Sequence, residues 1–262
     1  MNLQLTTQQV VNLSKAVGKF IKSEAEFFLS SDIEEKGIHN LVTYVDKQAE
    51  KMLVGELRKI LPEAGFIAEE DQSLARGDRF NWIVDPLDGT TNFIHSVPLY
   101  SISIALNDGD ETIIGVIYEI NLKECFYSWK GAPAFLNEKE IRVSLQEKLD
   151  NSLLATGFPY YDYSLLDPYL ALFKDLMRTS RGVRRLGSAA VDLAYVAAGR
   201  FEVFYEYGLN PWDVAAGAFL VKQAGGKVTD FKGEENYVFG KEIVSSNYLT
   251  HKEFMKKLNI YF

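Results

Sequence analysis

Two aspartates three residues apart, Asp85 and Asp88, sit inside the stretch WIVDPLDGTTNF at positions 82–93. An apolar run, Trp82, Ile83 and Val84, delivers them, and Gly89 with two threonines follows at once. Pro86 fixes its own φ and Gly89 permits a sharp exit, so a turn at the end of a strand can point both carboxylates to one side. The amides of Gly89 and the threonines would then open a short helix, TTNFIHS, stopped by Pro98. A helix N-terminus presents unpaired N–H donors, a ready site for an anion such as phosphate.

Two further acidic neighbourhoods accompany this one. IAEED (67–71) places acids at the end of a second apolar strand, and PWDVAAG (211–217) places Asp213 in the first turn of a helix. Singly, each has a plain account: an Asp-Pro and Asp-Gly turn, a solvated charge run, and a capping aspartate worth about 0.3–1 kcal/mol. Together, three acid-bearing element ends suggest a site that holds several metal ions through oxygen. Cys125 is the only cysteine, and His39, His95 and His251 are spaced unhelpfully for a ligand set, which favours Mg²⁺ or Mn²⁺ over Zn²⁺. A carboxylate cluster without cations would repel itself. With cations, it can clamp the attacking and leaving oxygens of a phosphoryl transfer.

The totals agree with that chemistry. A net charge of −8 with pI near 5.1 argues against nucleic acid, which is bound by clustered Lys and Arg. Bound cations would then be what attracts an anionic substrate. A lone cysteine excludes an internal disulfide framework and points to a reducing cytoplasm. The start, MNLQLTTQQVVNLSKAV, is too polar for a signal peptide, and no run approaches the roughly 18 apolar residues of a membrane span.

The elements that must position these acids can be read from periodicity. Residues 7–29 have a helical apolar stripe (Val10, Leu13, Val17, Phe20, Ile21, Phe28), with Thr6 and Gln9 as a capping box. A polar link follows over 30–40, then a second helix carries Val45, Ala49, Met52, Leu53, Leu57 and Ile60, with Pro62 past its end. GFIAEE (65–70) and FNWIVD (80–85) read as strands. The runs at 101–107, 111–120 and 124–130, separated by NDGD and NLK, read as an antiparallel meander. From about residue 150 strands and helices alternate: SLLATG, a helix near 164–178, a strand near 183–186, an Ala-rich helix over 188–198, the strand FEVFYEY (201–207), a helix over 211–226, and a last strand and helix. The expectation is one domain over 1–262, with an α+β half to about residue 150 and an α/β half from about 151.

AEE, WIVDPLDGTTNF and PWDVAAG, in this order and at these separations, resemble the inositol monophosphatases of the Mg²⁺-dependent, lithium-sensitive phosphatase superfamily. The likeness runs from about residue 7 to 260. It implies a mixed α+β and α/β fold, a layered α-β-α-β-α sandwich shared with fructose-1,6-bisphosphatase, and commonly a homodimer. It implies Glu69, Asp85 and the Leu87 carbonyl around a first Mg²⁺, and Asp85, Asp88 and Asp213 around a second, with a third, weaker ion on the Glu69 side. Thr90 and Asp46, the aspartate of NLVTYVD (40–46), would polarise the attacking water. The Gly89 and Thr90 amides would receive the phosphate. Ser188, Ala189 and Glu206, with Asp88 and Asp213, would contact the sugar.

The implied activity is Mg²⁺-dependent hydrolysis of a small phosphate monoester, with myo-inositol monophosphate first and Mn²⁺ as a possible substitute. Fructose-1,6-bisphosphatase and histidinol phosphatase remain alternatives. A 3′-phosphoadenosine 5′-phosphate phosphatase is less expected, since those enzymes tend to carry KE where Thr91 and Asn92 stand here. A metal-stabilised regulatory or binding protein on the same fold is the alternative outside enzymes. Departures from the family are Asn40, where Asp is frequent, a short KGIHN loop, which weakens the third-ion assignment, and Pro211 ahead of Trp212. The arginines of MRTSRGVRRLG (177–187) read as a basic strand or a dimer contact, with Arg181 or Arg184 reading a second phosphate as the sharper alternative. Tyr160, Tyr161 and Tyr163 read as core or interface rather than as a sugar-stacking surface.

Overall fold

A computed structural model describes residues 1–26, 33–37 and 40–262, with side chains from residue 1 to 26 and from 43 onward. The first helix, α1 (Leu3–Ala25), starts earlier than a Thr6 cap requires, because Asn2 takes that role and accepts from the Leu5 amide at 3.1 Å. Thr6 and Thr7 are buried within it, and the Thr7 hydroxyl donates back to the Leu3 carbonyl at 2.7 Å. Phe28 and the predicted end of this helix lie outside the described residues, as do the side chains of the KGIHN loop. Where a plain link was expected, β1 (Ile33–Gly37) pairs antiparallel with β2 (Asn40–Thr43).

The N-terminal half continues with α2 (Tyr44–Ile60), β3 (Gly65–Ala68), β4 (Phe80–Asp88) and the short α3 (Thr90–Ile94). Then come β5 (Ser101–Asp108), β6 (Glu111–Glu119), β7 (Glu124–Trp129), β8 (Ala134–Leu136) and β9 (Lys139–Ile141). These seven strands, β3 to β9, lie in chain order in one sheet; β3 runs parallel to β4 and every later pair is antiparallel, as the meander predicts.

The second half supplies β10 (Leu153–Thr156), α4 (Leu166–Thr179), β11 (Gly182–Arg184), α5 (Ala189–Ala197), β12 (Val203–Tyr207) and α6 (Pro211–Gln223). It ends in two short strands rather than one, β13 (Lys227–Thr229) and β14 (Glu242–Ser246), before α7 (His251–Leu258). Its sheet has the order β11-β10-β12-β14-β13, parallel at β10 and antiparallel at β14.

Period-two alternation assigns each face of a strand to a layer. Trp82, Val84, Ile102, Ile104 and Leu106 face α1 and α2, through Val10, Val17, Leu53 and Leu57. Ile83, Ala105, Ile117 and Phe126 face the other way, onto α5 and α6. Those helices are apolar nearly all round, as a middle layer must be, and they also cover Ala155, Phe204 and Ile243 of the second sheet. Its far face, with Leu154, Val203, Tyr205 and Val244, packs on α4 and α7 through Tyr169, Leu172, Leu176 and Phe254. The result is the five-layered α-β-α-β-α sandwich. Among the described residues no helix is long and apolar enough to cross a membrane.

Candidate functional site

One local difference from the expected geometry matters most. The DPLD segment is not a turn beyond a strand: β4 runs on through Asp88, with Asp85 opposite Ser103, Asp88 opposite Ser101, and a bulge between. Pro86 is tolerated because β3 ends beside Val84, so no ladder partner awaits a donor on that side. The bulge turns both aspartates toward the same end of the sheet. Gly89 then exits at φ 99°, close under the Gly187 and Leu99 carbonyls, where a side chain would be strained and crowded.

The parallel register of β3 and β4 sets Ala68 beside Val84, so the next residues, Glu69 and Asp85, emerge side by side. Their carboxyl groups lie within hydrogen-bond reach of each other. Asp85 Oδ1 also accepts from the Leu87 amide at 2.9 Å. Burial raises the pKa of both well above the carboxylate range; Asp213 adds repulsion at Glu69, and Glu69 does so at Asp85. The IAEED acids divide: Glu69 faces the site, whereas Asp71 closes a surface turn by accepting from the Ser73 amide at 3.1 Å.

Asp46, Asp88 and Asp213 are each fixed by a helix start. Asp46 closes a capping box on α2: its Oδ2 accepts from the Thr43 amide at 2.9 Å and the Thr43 hydroxyl at 2.6 Å. Its Oδ1 lies 2.9 Å from the Thr90 hydroxyl, which is also 3.0 Å from the Leu87 carbonyl. Asp88 reaches the start of α5, where Oδ2 accepts from the Ser188 hydroxyl at 2.6 Å and the Ala190 amide at 2.8 Å. Asp213 closes the box on α6, accepting from the Asn210 amide at 2.7 Å, with Pro211 at the first helical position where its missing N–H costs nothing. Burial pushes Asp46 and Asp88 up to about 6, against the pull of their Thr43 and Ser188 donors. It pushes Asp213 up to about 7, with Asp88 adding repulsion.

Glu69, Asp85, Asp88 and Asp213 line a cavity of about 330 Å³, together with Leu87, Gly89, Thr90, Ser188, Ala189 and Glu206. Asp46 lies beneath it, reached through Thr90. Ser188 is 1% exposed and mainly serves as the cap of α5, accepting from the Val191 amide at 3.3 Å. In α3 the first donor with a helical partner is the Phe93 amide, to Gly89 O at 3.0 Å, so the preceding amides begin the helix without one. Glu206 lies 7% exposed on β12, its carboxylate folded over Gly157, where any Cβ would collide with it.

The donor set suits a hard divalent cation: it is all oxygen, and its carboxylates crowd one another. Among the described residues no three acidic, imidazole or thiol side chains already surround a single point as a metal's own ligands would. That is compatible with Mg²⁺, which takes one or two carboxylates and completes its shell with water and substrate phosphate.

Several residues at the site were not expected from the sequence. Glu50, on the inner face of α2 and 3% exposed, accepts from the Glu70 and Asp71 amides, both at 2.8 Å, and so pins the segment that carries Glu69. Asp192 lines the cavity from α5. Asn92 ties two loops by donating to the Leu99 and Leu186 carbonyls at 2.8 and 2.9 Å. Of the arginines, the cavity is lined by Arg185; Arg181 and Arg184, named for the sharper alternative of a second-phosphate reader, are exposed and do not line it. The tyrosines are not core: Tyr160 and Tyr161 are exposed at the cavity's rim, and Tyr160 receives a hydrogen bond from Arg185 at 2.9 Å. His251 is a buried structural histidine, 2.8 Å from the Ser246 hydroxyl.

The family model described as the inositol monophosphatase family matches residues 2–261. A fructose-1,6-bisphosphatase/inositol-1-monophosphatase of Thermotoga maritima is 41% identical over 229 residues, 87% of this chain and 86% of that one. The Escherichia coli protein named Nus factor SuhB is 40% identical over 238 residues, covering 90% and 89%. The crystal structure of the extragenic suppressor protein suhB from Bartonella henselae superposes with a TM-score of 0.89 at 36% identity, covering 96% of this chain and 97% of that one.

Proposed function

The chain belongs to the inositol monophosphatase family, and from that premise we propose that it hydrolyses phosphate monoesters of small polyols, myo-inositol monophosphate first among them, with Mg²⁺. The observation that carries this reading is the gathering of Glu69, Asp85, Asp88, Asp213 and Thr90 on one cavity, with Asp46 hydrogen-bonded behind Thr90. Bound Mg²⁺, held by Glu69, Asp85, the Leu87 carbonyl, Asp88 and Asp213, would neutralise phosphoryl charge and lower the pKa of water.

The chain's own residues do the rest. The Thr90 hydroxyl donates a hydrogen bond to Asp46, which turns its oxygen lone pairs toward the attacking water to accept from it and orient it. Asp46, whose pKa burial brings up to about 6, is suited to take a proton near neutrality. The Gly89 and Thr90 amides, at the start of α3, hold the phosphate. Glu206 accepts a hydroxyl of the sugar, and Ser188 and Ala189 shape the wall beside it. We place the protein in the cytoplasm as a homodimer, with lithium as an inhibitor.

Two observations favour further readings. Arg185 at the cavity rim suits a substrate with a second phosphate, in keeping with the bisphosphatase name of the Thermotoga relative. The name of the E. coli relative supports a Nus-factor role alongside hydrolysis. The net charge of −8 makes direct nucleic-acid binding the less expected route to such a role.

The test is phosphate release from myo-inositol 1-phosphate, fructose 1,6-bisphosphate, histidinol phosphate and 3′-phosphoadenosine 5′-phosphate, with and without Mg²⁺ and Li⁺. Mg²⁺-dependent, lithium-inhibited release with one preferred ester is the expected result. No release from any ester by folded, Mg²⁺-loaded protein would leave the binding role.

A further inference from the structure

Asp192 stands in the first turn of α5, 1% exposed, in the inner wall of the cavity. Its Oδ1 is buried and has no hydrogen-bond partner among the described residues. The charged groups around it are Glu206 and Asp88, which repel it, and Arg185, which attracts it. Arg185 does not satisfy it; that guanidinium donates to the Tyr160 hydroxyl at the rim. Buried polar atoms are almost always partnered, and a carboxylate without donors is expensive to keep. A donor brought by a ligand would satisfy it.

The chemistry of that donor can be narrowed. Burial raises the pKa of Asp192 and Glu206 well above the carboxylate range, so each accepts through at least one oxygen and, when protonated, can also donate; hydroxyl groups, which do both, answer either state. A second phosphate placed against them would be repelled. A cationic amine would meet Arg185, whose charge is felt at Asp88, Asp192 and Glu206 alike. Neutral hydroxyls on neighbouring carbons fit both constraints.

We propose that Asp192 is a substrate-specificity residue, accepting one hydroxyl of a polyol leaving group beside the hydroxyl accepted by Glu206. This rests on the phosphomonoesterase reading and narrows it: the wall selects leaving groups that carry adjacent hydroxyls. Phosphoryl transfer itself does not need Asp192, so an ester whose leaving group has no donors should not register its loss.

The experiment compares wild type, Asp192→Asn and Asp192→Leu on myo-inositol 1-phosphate and p-nitrophenyl phosphate at saturating Mg²⁺, with melting temperatures taken alongside. For Asp192→Leu, kcat/KM on the inositol ester should fall by roughly 10- to 100-fold, the range for a hydrogen bond to a charged group. On p-nitrophenyl phosphate it should stay within about twofold, the margin expected when no contact is lost. Asp192→Asn, which keeps one acceptor, should fall between. Neither variant should melt below wild type, because a buried acid with an unpartnered oxygen has been replaced.

Parallel losses on both esters, or a lowered melting temperature with both activities reduced, would assign Asp192 a structural role and overturn the proposal. So would unchanged kinetics on both esters in either variant; the Asn variant decides the matter should the Leu variant not fold. Wild type inactive on both esters would instead overturn the phosphatase reading itself, and this one with it.

Discussion

Asp213→Asn should make the metal-free protein more stable at neutral pH while removing its response to Mg²⁺. In the metal-free fold the Asp213 pKa is raised from 3.8 to about 7. A raised carboxylate favours the folded state while it is protonated. That contribution is whole below about pH 3.8, shrinks as pH climbs, and is gone above about pH 7. At about 1.4 kcal/mol per pH unit, the interval of about three units corresponds to roughly 4 kcal/mol. Asp213 opens onto the cavity, so solvent screening brings the expected figure to about 2 kcal/mol. Asparagine cannot ionise and escapes this loss, yet its carbonyl oxygen can still accept from the Asn210 amide and keep the cap. At about 2–4 °C per kcal/mol for a chain of this size, the variant should melt roughly 4–8 °C above wild type in EDTA at pH 8. The gap should close as pH is lowered toward 4. Added Mg²⁺ should raise the wild-type melting temperature and barely move the variant, reversing the order. Differential scanning calorimetry in EDTA and in Mg²⁺, across pH 4 to 8, measures all of this. A variant less stable than wild type in EDTA at pH 8, or an equal response of both to Mg²⁺, would refute the assignment of Asp213 as a strained carboxylate awaiting a cation.

Other perturbations separate positioning from chemistry. Thr90→Val keeps the shape but removes the hydroxyl between Asp46 and the cavity; kcat should fall by about 10²–10⁴ with Mg²⁺ affinity little changed, and equal losses of both would count against the water-orienting role. Glu50→Ala frees the Glu70 and Asp71 amides, so Mg²⁺ affinity by isothermal titration should weaken by about 10–100-fold, with partial rescue by Gln; an unchanged affinity would show that the Glu69 segment is held by other means. Gly157→Ala drives a methyl group into the Glu206 carboxylate, so KM for a polyol phosphate should rise more than kcat falls, and an unaffected KM would place the substrate away from Glu206.

What the sequence discloses follows a physical division. Asp85, Asp88 and Asp213 are legible because each sits where an apolar run meets a backbone irregularity, and Pro86, Gly89 and Pro211 mark those points. The bulge is less legible than the acids it aims, because it depends on β3 ending at Ala68 and β5 continuing opposite. Glu50 and Asp192 are hidden because each is a single acid within a helix pattern. Their roles depend on contacts made across roughly 20 residues for Glu50 and on the absence of any partner for Asp192. Arg185 is the first residue past the three-residue strand β11, which ends at Arg184, and that end decides which arginine faces the cavity. Tyr160, Tyr161 and Tyr163 read as core or interface, and their exposure rules out the core half, which the aromatic character of Tyr alone does not decide.

The three helix starts at the cavity carry a consequence for genetics. Asp46, Asp88 and Asp213 each hold a helix terminus and serve the site with the same side chain, Asp88 and Asp213 from its wall and Asp46 through Thr90. An alanine at any of them deletes two things in one stroke, so an alanine scan of this cavity would charge folding defects to catalysis. Only the isosteric amides separate the two, and natural variation here should be confined to residues that can still accept a backbone proton.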